Sequence, residues 1–458
     1  MNKEEFHTII SDEDIINTAR NYGYEDERKR CLILKILFWG IVFIGSIDDR
    51  NKIYSLIIRM LPKLFKRYGE EAKTVTPAAL SKKYAVMDYR IFRDIYIKTL
   101  EKHFELLETD VGEVLGKFKD IHIIDSTSIR LSVLLQDVFE ATNKNTAALK
   151  IHMKFSLKNF VPIDIEISSQ KKHDSKYDFV SEESNILYIS DLGYWDFKIF
   201  KKIIRKGSFF LSRLKKGCVV KIEKVLSGDK LFEGKTLSEI IPLINTDSID
   251  LKVKLNGVSK PLRVVGLKHE GEWYFYLTCL FDEKLTPQVI YQIYRQRWTI
   301  ELVFNDLKNV INLRNIAAKN PNIVGIEIYA TLLFFLLTRI IMALAAKERA
   351  EEQKEFCAEK ISVNETGNGS VSESPEKTDD TQETKNEDGT KKSEKVEEGY
   401  SMRTCLGHVK AHAYDLFESL VLNDTKQLEE TLSIIIYLMN TNGFIKGRGG
   451  RKALSGVT

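Results

Sequence analysis

Residues 186–214 read ILYISDLGYWDFKIFKKIIRKGSFFLSRL. The first six are an apolar, β-branched run that ends in Asp191 and breaks into the turn-like Leu192, Gly193 and Tyr194. WDFKIFKKIIRKG then repeats apolar residues at helical spacing, and SFFLSRL returns to a strand-like run. Strand, helix and strand in this order predict an α/β sheet.

Upstream lie three more strand-like runs with no helix between them: IHIID (121–125), LKIHMKFSL (149–157) and VPIDIEISS (161–169). IHIID ends in Asp125 and passes into Ser126, Thr127 and Ser128, much as ILYISD passes into its turn. Both aspartates are therefore expected at the ends of buried strands, where α/β folds place ligand sites. Aspartate also caps turns readily, so each alone is compatible with a structural role.

A third acid stands in residues 294–308, YRQRWTIELVFNDLK. On one helix at about 100° per residue, Tyr294, Arg297, Glu301 and Lys308 fall within an arc of about 60°. Ile300, Val303, Phe304 and Leu307 lie to one side of it. An amphipathic helix with a salt-bridged outer face has the same pattern. The spacing Tyr-x2-Arg-x3-Glu-x6-Lys, however, resembles the signature of insertion-sequence DDE transposases. That resemblance implies a ribonuclease-H-like catalytic core with a mixed sheet, in which Asp125, Asp191 and Glu301 are the catalytic metal ligands. It implies that Arg297 and Lys308 hold DNA phosphates and that Tyr294 meets a terminal nucleotide. The implied cofactors are two divalent metal ions, Mg2+ with Mn2+ as a substitute. The implied partner is double-stranded DNA, both the inverted-repeat ends of the element and its target, engaged by a homodimer in the bacterial cytoplasm at the nucleoid.

The chemistry asks for such a site. Water and a DNA 3′-hydroxyl are weak nucleophiles at neutral pH, and paired divalent ions can activate the attacking oxygen and stabilise the leaving one. Carboxylates are the natural hard-oxygen ligands for Mg2+. Three acids brought together without metal repel, so at least one should have a raised pKa.

The chain divides into six expected segments. Residues 1–112 read as helical, with Thr76-Pro77 as a helix start and Lys82, Lys83, Arg90 and Arg93 interleaved among apolar positions. This segment is either a DNA-end-binding domain or a scaffold with a solvated basic face. Residues 113–214 form the first part of the core. Lys198, Lys201, Lys202, Arg205 and Arg213 there could follow a DNA backbone or simply face solvent. Residues 215–285 read as a β-rich insertion; its Trp273 could stack on an unpaired base or pack within a strand. Residues 286–346 complete the core. Residues 347–400 have a composition that predicts a disordered linker, and 401–458 a helical region with a basic tail.

The net charge of +4 hides a split: residues 347–400 hold 9 basic and 16 acidic residues, or −7, leaving the remainder at +11. A modestly basic body suits a duplex. Five scattered cysteines (Cys31, Cys218, Cys279, Cys357, Cys405) suit a reducing compartment and form no zinc-site spacing. The apolar stretches 32–47 and 329–346 are interrupted by Lys35 and Arg339, and are expected to be buried helices rather than membrane spans. Two further readings remain open: a non-catalytic DNA-binding relic of a transposase, and a ribonuclease-H-fold nuclease without strand transfer.

Overall fold

The computed structural model describes residues 1–24, 33–44, 51–67, 75–255, 258, 260–314, 316, 318–365 and 398–446. Its central sheet contains β1 (Asp120–Leu131), β2 (Ala147–Ser156), β3 (Val161–Ser169), β4 (Ile186–Ser190) and β5 (Phe209–Arg213). It continues through β6 (Lys221–Ser227), β7 (Ser248–Lys254), β8 (Leu262–His269) and β9 (Glu272–Thr278). The spatial order is β3-β2-β1-β4-β5-β9-β8-β7-β6.

All five residues of β4 are buried. It pairs in parallel with β1 on one side and β5 on the other, and helices and loops cover both faces, which is why ILYIS is apolar throughout instead of alternating. The crossover helix Phe197–Arg205 makes the parallel step to β5. β1, β2 and β3 are antiparallel neighbours, and Pro162 sits on the edge strand β3 beside a register shift, where its missing N–H is tolerated.

The insertion strands extend this sheet sideways. β9 pairs with β5 through Leu211–Thr278, Ser212–Leu277 and Arg213–Tyr276. The two faces of the sheet feed separate cores: Ile121 and Ile123 pack with the N- and C-terminal helices, whereas Ile124 packs with Tyr188, Tyr194, Phe200 and the insertion. A buried ion pair locks the insertion internally. Arg263 donates to Asp250 Oδ1 at 2.8 Å and Oδ2 at 2.5 Å, and to the Leu285 carbonyl at 2.6 Å, tying β7 and β8 to the loop that leads into the helix Pro287–Arg295.

The apolar stretch 329–346 belongs to a long helix, Pro321–Glu365. Its length and hydropathy would span a bilayer, but 94% of its apolar window is buried within the protein. Arg339, which interrupts that run, is buried; it donates to the Asn159 carbonyl at 3.2 Å and lies 5.3 Å over the Phe160 ring. The helix runs past residue 346 into the segment whose composition suggested a linker. Residues 347–355, KERAEEQKE, are strong helix formers that extend an existing helix without needing a core of their own. Arg349 there lies 3.6 Å over the Phe444 ring, joining this extension to the C-terminal piece. The rest of the acidic segment, residues 366–397, and the basic tail after 446 lie outside the described residues.

The C-terminal helices Met402–Ala411, Ala413–Leu422 and Thr425–Leu438 share one core with the N-terminal helices. Lys35 joins the two ends of the chain, meeting Asp12 at 2.9 Å and Asn423 Oδ1 at 2.7 Å. The helix start at Thr76-Pro77 is present, with the Thr76 hydroxyl accepting from the Ala79 N–H at 3.2 Å.

Candidate active site

Asp125 does not end its strand. β1 continues to Leu131 because Ser126–Leu131 stay paired with β2, Thr127 and Ile129 being good strand formers. What ends at this level is the parallel ladder to β4, whose last pair is Ile124–Ser190. Asp125 and Asp191 are thus the first residues beyond that ladder on two adjacent strands. The expectation of acids at a strand end holds for the β1–β4 pair, though not for β1 itself.

Glu301 arrives from the other side. The expected single helix over 294–308 is two: Pro287–Arg295 and Trp298–Asn309. Between them the chain tightens, with Arg297 N–H donating to Tyr294 O at 3.0 Å and Thr299 N–H to Gln296 O at 2.9 Å, three residues apart instead of four. Ile300, Val303, Phe304 and Leu307 are buried, as the apolar spacing predicts, and this burial holds Glu301 over the sheet.

Arg297 ties the acids together. Its Nη1 donates to Asp125 Oδ2 at 2.8 Å and its Nη2 meets Glu301 Oε1 at 2.7 Å. Asp125 also accepts from the Ser126 N–H at 2.8 Å, and Asp191 from the Gly193 N–H at 2.9 Å. Burial raises the Asp125 carboxyl to about 6, with the charges of Asp191 and Glu301 adding to the rise and the Ser126 N–H and Arg297 opposing it. Asp191 is raised as well, chiefly by burial. The expected electrostatic conflict among the acids is present. Desolvation is its largest cause.

The other predicted residues fall differently. Tyr294 is buried against Tyr276, with ring centroids 4.9 Å apart, and burial raises its hydroxyl to about 12. Placed there, it supports Arg297 and has no open face for a nucleotide. Lys308 is half-buried beside Thr127, Phe304 and Leu313, and burial lowers its pKa. Among the described residues no acidic side chain pairs with it. Arg213 is exposed, its guanidinium 5.3 Å over the Tyr274 ring. Trp273 is partly covered and stacked on Phe275 at 5.5 Å, an ordinary strand packing. Of the basic helix face, Lys202 pairs with Asp178 at 2.7 Å, while Lys198, Lys201 and Arg205 stay exposed. Arg90 is spent on Asp88 and Arg93 on Asp94.

The family described as "Transposase DDE domain" matches residues 116–337, a span holding Asp125, Asp191 and Glu301. The chain belongs to the DDE transposases of insertion sequences. Among relatives of this transposase, a putative transposase for insertion sequence element IS4SA from Synechocystis sp. is 24% identical over 308 residues, covering 66% of this chain and 80% of that one. A probable transposase for element IS5377 from Geobacillus stearothermophilus is 21% identical over 339 residues, 72% of this chain and 82% of that one. Putative transposase y4zB from Sinorhizobium fredii is 26% identical over 230 residues, 49% of this chain and 61% of that one.

Sequence reading missed one acid of this transposase. Asp174 opens the short turn Asp174–Lys176 before β4, and its charge raises the Asp191 pKa. It belongs to no apolar run and shares no spacing with the signature, so only the folded chain brings it near.

Proposed function

We propose that this transposase binds the terminal inverted repeats of its element, cleaves the DNA there with divalent metal ions, and joins the released ends to target DNA. The observation that carries this reading is the approach of Asp125 and Asp191, just beyond the end of the β1–β4 ladder, and Glu301, from a separate helix, to one arginine that pairs with Asp125 and Glu301 and acts on Asp191 by its charge. Structural salt bridges rarely gather three acids per cation, because each desolvated carboxylate adds cost.

The donor set fits hard cations in its chemistry: carboxylate oxygens, partly buried, with at least two acids raised above their ordinary range. With Arg297 engaged, no three acidic, histidine or cysteine side chains among the described residues converge tightly enough to hold an ion. Asp125, Asp191 and Glu301 would hold the ions once the guanidinium turns away. Bound Mg2+ supplies activation of the attacking oxygen and stabilisation of the leaving one. The chain's own groups do the rest. Arg297 neutralises Asp125 and Glu301 in the resting protein, then offers its fork to a backbone phosphate when DNA enters. Lys308 adds a second cation beside β1. Arg213 sits on the β5–β9 side with its guanidinium over Tyr274, where it can meet the strand near the cut. Trp273 lies on the other face of β9, packed with Phe275, and takes no part in this contact. The N-terminal segment, residues 1–112, holds the end of the element, and two copies pair the ends.

A supercoiled plasmid carrying the element's two ends tests the proposal. Nicked, linear and joined products should appear with Mg2+ or Mn2+ and vanish in Glu301→Gln. Cleavage without joined products would favour a nuclease, and no cleavage at any protein level a DNA-binding relic.

A further inference from the structure

On the opposite face of the sheet from Arg297 lies a polar network that the reaction has so far left unused. Successive residues of a strand face opposite ways, so Asp125 faces Arg297 while Ser126 points to the other side. There the Ser126 hydroxyl donates to Asp174 Oδ1 at 3.0 Å, and Lys150 Nζ from β2 donates to the same oxygen at 3.0 Å. His152 Nδ1 stands 3.6 Å from that oxygen and 3.2 Å from the Tyr194 hydroxyl. His152 and Tyr194 are both fully buried, which gives the network a rigid backing.

The second oxygen of Asp174 faces the Asp191 turn. A Cβ added at Gly193 would lie 3.0 Å from Asp174 Oδ2 and 3.1 Å from Asp191 Oδ1. Glycine lets the two carboxylates close on one turn, and a side chain there would push them apart.

We propose that Asp174 is a positioning residue that fixes Asp125 and Asp191 relative to one another, bracing Ser126 and the Gly193 turn from beneath the sheet. This rests on the assignment of Asp125, Asp191 and Glu301 as the reactive acids. The brace acts through the backbone. Ser126 follows Asp125 and its N–H holds Asp125 Oδ1, so fixing residue 126 fixes that carboxylate. The Gly193 N–H holds Asp191 Oδ1, so the turn and its carboxylate move together. Asp174 Oδ1 is already committed to a hydroxyl and an ammonium, which suits a support better than a ligand. Outer groups of this kind orient the ligands of a metal site, and losing one typically lowers metal affinity about 10–100-fold.

Mn2+ binding to the full, DNA-free chain, followed by electron paramagnetic resonance, tests this beside plasmid cleavage. Asp174→Ala should weaken Mn2+ binding at least about tenfold while the thermal transition stays within a few degrees of wild type. Asp174→Asn keeps an oxygen for Ser126 and Lys150 and should recover most of the affinity. Ser126→Ala should lose affinity in the same direction, by less. Wild-type affinity in Asp174→Ala overturns the proposal. If that variant does not fold, unchanged affinity in Ser126→Ala overturns it instead. A loss in Asp174→Asn as large as that in Asp125→Asn would make Asp174 a direct ligand and refute the positioning role. Equal Mn2+ binding by wild type and Asp125→Asn is a separate failure, that of the acid assignment itself.

Discussion

Replacing Asp125 by asparagine should stabilise the metal-free protein above neutral pH and leave it nearly unchanged in acid. The carboxyl ionises near 3.8 in the unfolded chain and at about 6 in the folded one. A raised folded pKa means that the protonated acid is the form the fold prefers. Stability is therefore full below about pH 4, falls as the pH rises through 6, and stays reduced above. A difference of roughly two units corresponds to about 3 kcal/mol. Asp125 is only 14% exposed, so solvent screening removes little of that. The asparagine side chain is close to the shape of the neutral acid and never takes the charge.

The assay is a pair of thermal melts in a chelating buffer at pH 4.5 and 7.5, with a third at pH 7.5 in Mg2+. The Asp125→Asn variant should come close to wild type at pH 4.5 and melt clearly higher at pH 7.5. Mg2+ should raise wild type alone and so narrow the gap. If Asp125→Asn instead melts lower by the same amount at both pH values, Arg297 already compensates the carboxylate in full. The picture of a site held under charge strain would then be wrong.

Four other outcomes follow from the same geometry. Alanine substitution of Asp125, Asp191 or Glu301 should abolish plasmid cleavage while leaving end binding in a gel-shift assay largely intact; retained cleavage removes that acid from the site. Lys308→Ala should flatten the salt dependence of end binding by about one unit of slope, measured by fluorescence anisotropy, and an unchanged slope makes Lys308 a packing residue. Arg263→Met leaves Asp250 buried without its partner and should cost about 3–5 kcal/mol in denaturant unfolding, distorting the insertion more than the N-terminal helices. Gly266→Ala would set a Cβ 2.6 Å from Phe275 Cε1 and 2.8 Å from Ile249 Cγ2, and should destabilise by about 1–3 kcal/mol in the same measurement.

Much of this architecture is legible in the chain because period and burial coincide. β4 is apolar at every position and lies between two parallel neighbours; the glutamate helix buries the four residues its spacing marks. What was not legible depends on partners distant in sequence. The continuation of β1 past Asp125 is dictated by β2, and the two serines of Ser126-Thr127-Ser128 mask the strand preference of Thr127 and Ile129. The break between Tyr294 and Trp298 follows from tightened backbone bonds that helical periodicity does not register. The helix beyond residue 346 has few apolar residues, and a composition argument that looks for a core overlooks a helix extended from one already formed.

The position of Arg297 turns on the same distinction between local pattern and assembled neighbours. The sequence presents it as a cation one helical turn before Glu301, a spacing that serves phosphate binding and salt bridging equally well. In the fold that guanidinium spans two elements, reaching Asp125 as well as Glu301, and it is largely buried. A cation held this way offsets part of the repulsion among the acids before any other cation arrives. On the proposed function the same contacts would be surrendered when DNA and metal enter, so Arg297 would oppose the loaded state at the outset and, with a phosphate at its fork, favour it afterwards. Arg297→Lys would keep the charge but reach only one acid at a time. It should therefore loosen the resting site more than it weakens phosphate contact, a separation that no charge-removing substitution at this position can give.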